Sequence, residues 1–389
     1  MLLVAGHGRE MQERLATELA DVESRFAAEL LSDLTCVNDL VSHIERYRGK
    51  MLRPMLVLAS GMAAGSPPSQ GGARGGSSKR RARENDTAAF LDGSTIPPPL
   101  PEREGSLITD AHRVVATVVE MVHMATLVHD DILDDAQVRR RGSTVNTLSG
   151  NEAAVMLGDY LISHAYHLCS SLDDPSVSRF IADTTNTVCE GELLQLANRN
   201  NWSLDEGTYF EIIRRKTASL TGACCRMGAI LHDSMDDVQG DALYTYGEQV
   251  GVAFQVVDDL LDLAGDEKTV GKSLGRDLAK GKLTLPVIHF LASADSSLRG
   301  EMLKLIQSIS ADEQGDNGNG NGRHGDAAET DSRVVKVRDA VIGSSSMDYA
   351  RRRAAELIDG AKAALRPLPE SPAKALLFEM AAVVLSRKA

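Results

Sequence analysis

Between Ala111 and Val128 the chain reads AHRVVATVVEMVHMATLV, apolar on nearly every side of a helix. A helix with no polar face must be surrounded by other elements. Those elements also read as helices. Segments 10–34, 110–135, 151–172, 176–198, 207–232, 238–264, 282–309 and 348–364 place apolar residues at three- and four-residue spacing. Strand-like alternation between turn signals is scarce, and no βαβ rhythm is present. The pattern predicts an all-α, single large helical bundle. Asp110 is expected to cap the apolar helix at its start, and Gly142 suits its end.

Composition narrows the function classes. Of 389 residues, 43% are hydrophobic, enough for one large core. Acidic residues number 55 against 42 basic, a net charge of −13, which argues against a nucleic-acid partner. The five cysteines show neither disulfide nor zinc spacing. No apolar run reaches the roughly 20 residues of a membrane span, and the apolar run in MLLVAGHGREMQERL is too short for a signal peptide. Residues 66–106 and 311–332 are rich in small and polar residues and are expected to be disordered insertions within one domain spanning 1–389. The basic run Lys79–Arg83 in the first reads as a solvated loop.

Two acidic motifs then demand an explanation, LVHDDILDD at 127–135 and FQVVDDLLD at 254–262. On a helix, Asp130 and Asp134 share a face, while Asp131 sits about 100° round. Asp258, Asp262 and Asp259 repeat the arrangement. Stacked carboxylates repel one another, and a divalent cation reverses that sign. Mg²⁺ suits such oxygen ligands and commonly shares them with substrate phosphates. One such motif could equally be a helix cap or a solvated surface, but two, each behind an apolar run, point to a site. Arg139, Arg140 and Arg141 follow the first motif. Lys50 and Arg53 lie in GKMLRP, and Lys272, Arg276, Asp277, Lys280 and Lys282 follow the second. So many cations beside carboxylates imply a shared anion, and Arg suits phosphate. The Gly-Lys pairs do not make a Walker loop, because the strand and spacing are missing.

Taken together, GKMLRP (49–54), HMATLVHDDILDDAQVRRRGSTVN (123–146), GDYL (158–161), EGELLQ (190–195), RRKTASL (214–220) and FQVVDDLLDLAGDEKTVGKSLGRDLAKGKLTLP (254–286) resemble the trans-type isoprenyl diphosphate synthases. Within them the likeness is to the long-chain polyprenyl diphosphate synthases of the solanesyl and decaprenyl kind. The motifs come in the family's order and cover most of the chain outside the two insertions. The resemblance implies the isoprenoid synthase fold around a central cavity, and a prenyltransferase that repeatedly condenses isopentenyl diphosphate with an allylic diphosphate, farnesyl or geranylgeranyl. By resemblance, Lys50, Arg53, His123 and Arg140 hold the isopentenyl diphosphate. Arg139, Lys216, Thr217, Gln255 and Lys272 contact the allylic diphosphate, and Lys282 belongs to the same substrate set. Asp130, Asp134 and Asp258 match Mg²⁺ ligands, with three ions per site, and Asp131, Asp259 and Asp262 complete the catalytic clusters with Lys216. Arg141 stands where many members have Gly, so the assignment of the Arg pair can slip by one residue.

The resemblance also implies a product-length ridge. Ala125, Val122 and Val119 carry no aromatic below Asp130, which suits a long product of roughly eight to ten isoprene units, a quinone side-chain precursor. Ordinary core packing is the other reading, and Ala125→Phe is expected to shorten the product if the ridge lines the tunnel. A shorter-chain geranylgeranyl synthase, a terpene cyclase and a non-catalytic subunit share the fold. The cyclases normally replace the second Asp motif, and the subunits usually lose one cluster. A di-iron bundle would need a partner for Glu120-x-x-His123, and the sequence has no second Glu-x-x-His. A homodimer is the family's usual state, a heteromer is the alternative, and peripheral membrane contact would serve product release. The compartment stays open between mitochondrion, plastid and cytoplasm.

Overall fold

The computed structural model describes residues 9–45, 49–65, 107–139, 142–232, 237–264, 275–316 and 332–387. The helices in chain order are α1 (Arg9–Glu29), α2 (Thr35–Glu45), α3 (Leu52–Ala64), α4 (Asp110–Leu133), α5 (Val145–Ser170), α6 (Pro175–Ala197) and α7 (Glu206–Ile213). A π-helical turn (Arg214–Ala218) leads into α8 (Ser219–Ile230), followed by α9 (Asp237–Ala264) and the short α10 (Arg276–Ala279). The last are α11 (Leu285–Ser293), α12 (Ser296–Asp316), α13 (Ser332–Ile342), α14 (Ser346–Ala364) and α15 (Pro372–Leu385). The all-α expectation holds. One two-residue ribbon, Val138–Arg139 paired antiparallel with Gly142–Ser143, departs from it.

The apolar helix α4 sits where its sequence demands. It packs on α1, α3, α5 and α8, with Val114–Val119, Met121, Val122, Met124 and Ala125 buried. By length and composition α4 could cross a membrane, contrary to the sequence expectation, yet 78% of its apolar window is buried in the bundle. It is a core helix. At its start Thr109, not Asp110, is the cap, sharing reciprocal hydrogen bonds with His112. Asp110 instead accepts a 2.5 Å hydrogen bond from Arg25 of α1. Arg113, fully buried, donates to Glu18 of α1 at 2.7 Å, which pairs a charge that would otherwise be costly inside. The helix ends at Leu133 rather than near Gly142, and Gly142 itself pairs with Arg139 in the ribbon.

Other boundaries shift for local reasons. Helix α5 starts at Val145, but Gly150 breaks it with φ 84°, so regular apolar spacing resumes at 151. The expected 282–309 helix divides at Asp295, whose carboxylate accepts the N–H groups of Ser297 and Leu298 and starts α12. Of the expected insertion at 311–332, residues 311–316 extend α12 and Ser332 opens α13, while 317–331 lie outside the described residues, as do 66–106. The expected 207–232 helix is interrupted by the π turn. Such turns occur inside helices at functional sites, since they carry one extra residue and re-aim the helix beyond them.

Gly191 of α6 explains how the π turn is accommodated. A Cβ at Gly191 would lie 2.3 Å from the backbone nitrogen of Lys216 and 2.8 Å from Arg215. Only a bare Cα lets the two backbones touch. Gly191→Ala should therefore destabilise the protein by about 1–3 kcal/mol, the usual cost of overpacking, as measured by urea unfolding. A loss below about 0.5 kcal/mol would mean that α6 can move away freely.

Candidate active site

A cavity of about 1090 Å³ opens among α3, α4, α6, α7, α9 and α15. Asp130 of α4 and Asp134, which caps that helix, line it on one side, and Asp258 and Asp259 of α9 line it as well. Lys50, Arg53, His123, Arg139, Lys216, Thr217, Gln255 and Lys282 line it as well. The two acidic motifs and most of the expected basic set thus share one chamber.

Several local devices aim these side chains. Met51, between Lys50 and Arg53, is buried with φ 50°, a left-handed conformation that costs a non-glycine residue about 1–2 kcal/mol. It turns the chain sharply into α3, with Lys50 exposed before the turn and Arg53 inside after it. The Arg53 Nε is buried without a hydrogen-bond partner, and burial pulls the guanidinium pKa down. The π turn presents Lys216 and Thr217. The Thr217 hydroxyl lies 3.5 Å from Gln255 Oε1. Gly158 of GDYL leaves room for His129, whose ring nitrogen would lie 2.1 Å from a Cβ there.

Each carboxylate has its own counter-group. Lys216 lies 3.5 Å from Asp130 and also pairs with Glu192. Burial by itself pulls the Lys216 pKa down, but Asp130 and Glu192 outweigh it and push the pKa up. Burial raises the Asp130 pKa in spite of Lys216. Around Asp134, burial pushes up, but Lys282 at 2.8 Å with Lys280 and Lys216 holds the carboxyl below its ordinary range. Arg199 adds a hydrogen bond of 3.1 Å to the same carboxylate. Asp258 accepts one from Arg387 at 3.0 Å, and the Arg387 guanidinium lies over the Phe254 ring at 4.0 Å. Burial, followed by repulsion from Asp277, pushes Asp262 up to about 7, and burial raises Asp277 itself.

Some expected residues are not in the chamber wall. Asp131 is buried beneath it and held by Arg139 at 2.7 Å, as its 100° offset from Asp130 requires. Asp262 faces the segment after α9, where the Asp277 N–H lies 3.5 Å from its carboxylate. Val119, Val122 and Ala125 are fully buried and do not line the cavity. Ala125 is five residues from Asp130, hence about 140° round the helix, and so faces the core. Met124 and Leu127 form the apolar wall of α4 instead. Arg140 and Lys272 lie outside the described residues.

Sequence reasoning passed over Glu192, Tyr209, Arg199, Asp277, Lys280 and Arg387 as site residues. Glu192 stood in a quoted motif, and Asp277 and Lys280 in the basic loop. Arg199, Tyr209 and Arg387 carried no local signal, since long-range packing alone brings them to the chamber.

Sequence and fold both match known proteins. Residues 35–317 match the polyprenyl synthetase family. The chain is 31% identical over 378 residues to octaprenyl diphosphate synthase of Escherichia coli, covering 97% of this chain and 98% of that one. It is 34% identical over 273 residues to the all-trans-nonaprenyl-diphosphate synthase (geranyl-diphosphate specific) of Rhodobacter capsulatus, covering 70% and 77% of the two chains. Among solved structures, it superposes on the polyprenyl synthase of Caulobacter crescentus, complexed with calcium and isoprenyl diphosphate, with TM-score 0.76. That match has 28% identity and covers 97% of this chain and 98% of that one. The chain belongs to the polyprenyl synthetase family, and it is a polyprenyl diphosphate synthase, a prenyltransferase.

Proposed function

We propose that this chain extends an allylic diphosphate, farnesyl or geranylgeranyl, by repeated addition of isopentenyl diphosphate. The product is an all-trans polyprenyl diphosphate of roughly eight to ten isoprene units, the kind of chain that quinones carry. The observation that supports the reading best is the single cavity lined by Asp130 and Asp134 from one helix and Asp258 from another, with Lys216 beside them and an apolar wall below. Arg53 adds to it, because a buried guanidinium nitrogen without a partner, facing a cavity, suits an anion.

The donors fit a hard divalent cation, all being carboxylate oxygens. Among the described residues no three acidic, imidazole or thiol side chains converge tightly enough to hold an ion alone. That suits Mg²⁺, which typically takes one or two carboxylates and completes its shell with water and substrate phosphates. Asp130, Asp134 and Asp258 would hold such ions, three per site on the family pattern, once a diphosphate enters. When bound they would supply Lewis-acid stabilisation of the leaving diphosphate.

The side chains of the chain itself account for the rest. Lys216 and Arg139 face the allylic diphosphate, and Lys282 supports them. They stabilise negative charge as the allylic C–O bond ionises. Lys50, Arg53, His123 and, by resemblance, Arg140 orient isopentenyl diphosphate so that its alkene meets the cation. Thr217 and Gln255 lie beside the same allylic subsite, and Lys272 would join them. The departing pyrophosphate takes the proton, so no side-chain base is needed. Met124 and Leu127 of α4, with Val188 and Leu196 of α6, then receive the apolar chain.

A shorter, geranylgeranyl product is the second reading. It is favoured by 34% identity to the geranylgeranyl pyrophosphate synthase of Geoglobus acetivorans over 70% of this chain. For assembly we favour a homodimer. Leu148, Val155 and Met156 of α5 are exposed apolar side chains that a second copy would cover.

Purified chain with Mg²⁺, isopentenyl diphosphate and farnesyl diphosphate should yield a long polyprenyl diphosphate by mass analysis. A product of four isoprene units would favour the second reading, and no condensation would end the first. Lys216→Ala should lower kcat by about a hundredfold or more. Met124→Trp should shorten the product, where the sequence alone would have chosen Ala125. Asp262 supplies a stability test without turnover. Its pKa rises from 3.8 unfolded to about 7 folded, so between those values the folded state keeps a proton that the unfolded state loses. Its contribution to metal-free stability therefore falls as pH rises through that window. Asp262→Asn should raise the melting temperature of the metal-free protein at neutral pH, with the gain shrinking as pH falls and gone only below about 3.8. An equal effect at both pH values would show that charge is not the cause.

A further inference from the structure

Tyr209 is buried, lines the cavity and belongs to none of the expected substrate or ion contacts. Its hydroxyl donates a 2.6 Å hydrogen bond to Asp259 Oδ2. The other oxygen of that carboxylate accepts Gln255 Nε2 at 2.9 Å. This fixes the Gln255 amide, leaving its Oε1 directed toward the Thr217 hydroxyl. A hydrogen-bonded run therefore crosses from α7 through α9 to the π turn, ending on two residues assigned above to the allylic diphosphate. Asp259, with both oxygens taken, serves as the anchor of this run.

The position of Tyr209 is itself secured. The Asp205 carboxylate caps α7 by accepting the Thr208 N–H at 2.9 Å, and the Tyr209 N–H donates to the Asp205 carbonyl at 3.0 Å. The ring meets Phe210 edge-on, with centroids 5.3 Å apart. Removing the hydroxyl would leave Asp259 Oδ2 buried without a donor, and such a carboxylate is costly enough to draw Gln255 or the α9 side chains into a new arrangement.

We propose that Tyr209 is a positioning residue for the allylic half of the site, orienting Gln255 and the second acidic motif through Asp259. The proposal rests on the functional reading above. Wild-type condensation tests that reading by itself, whereas the tyrosine is judged from ratios of variant to wild type and from binding without turnover.

Tyr209→Phe keeps the ring and removes only the hydroxyl. The expected result is a fall of about tenfold in kcat/KM for the allylic diphosphate, the scale of a lost hydrogen bond to a charged group, with KM for isopentenyl diphosphate unchanged. The calorimetric Kd for inorganic pyrophosphate with Mg²⁺ should rise by a similar factor. In an Asp259→Asn background the same substitution should cost little further, because both act through one contact. The proposal is overturned if the allylic kcat/KM and the pyrophosphate Kd stay within twofold of wild type. It is equally overturned if all kinetic constants change only by the fraction of enzyme lost to misfolding.

Discussion

The carboxylates gathered at the cavity are each answered by a donor from elsewhere in the chain, and the rest of the site is arranged around that pairing. Asp130 has Lys216, Asp131 has Arg139, Asp134 has Lys282 with Lys280 and Arg199, and Asp258 has Arg387. These partners come from the ribbon, the loop after α6, the π turn, the segment around α10 and the residues after α15. Unpaired, a buried charge such as that of Asp131 would cost several kcal/mol, whereas Asp258 stays half exposed and its pairing contributes far less. The pairing ties together segments that are distant in sequence, so the electrostatics of the site and the architecture of the bundle are one problem.

The same pairing bears on reactivity. Asp134 is held ionised by its lysines, while burial leaves Asp130 and Asp277 more easily protonated. On the proposed reading, an arriving diphosphate would bring anionic oxygens that compete for Lys216 and Lys282 and would free aspartate oxygens in the same event. Ligand and counter-ions would thus exchange partners rather than fill an empty socket, and charge stays balanced throughout.

Much of this was legible in sequence. The all-round apolar stretch in α4 dictated a core helix, and the four-residue spacing of Asp130 and Asp134 put both carboxylates on the chamber face. The same rule placed Asp131 about 100° round, but it was not carried back to Ala125, which it also turns away from that face. What the sequence did not carry depends on backbone geometry and tertiary approach. The π turn at 214–218 has no distinctive composition, and the ribbon at Val138 is two residues long. Arg199, Tyr209 and Arg387 reach the site only through packing. Gly158 and Gly191 were visible inside motifs, but the ring and the backbone they admit were not.

The π turn also limits how the chain can change. Because it is an α-helix with one residue too many, deletion of any single residue there would let the segment relax to an ordinary helix, still hydrogen-bonded. Everything on one side of the deletion would then swing by about 100° against the other, carrying the Lys216 ammonium off its carboxylates and turning α8, buried almost throughout, against its neighbours. Single-residue indels at this point would accordingly disturb the Gly191 contact, the core and the charged site together, so the length of this segment answers to packing and chemistry at once.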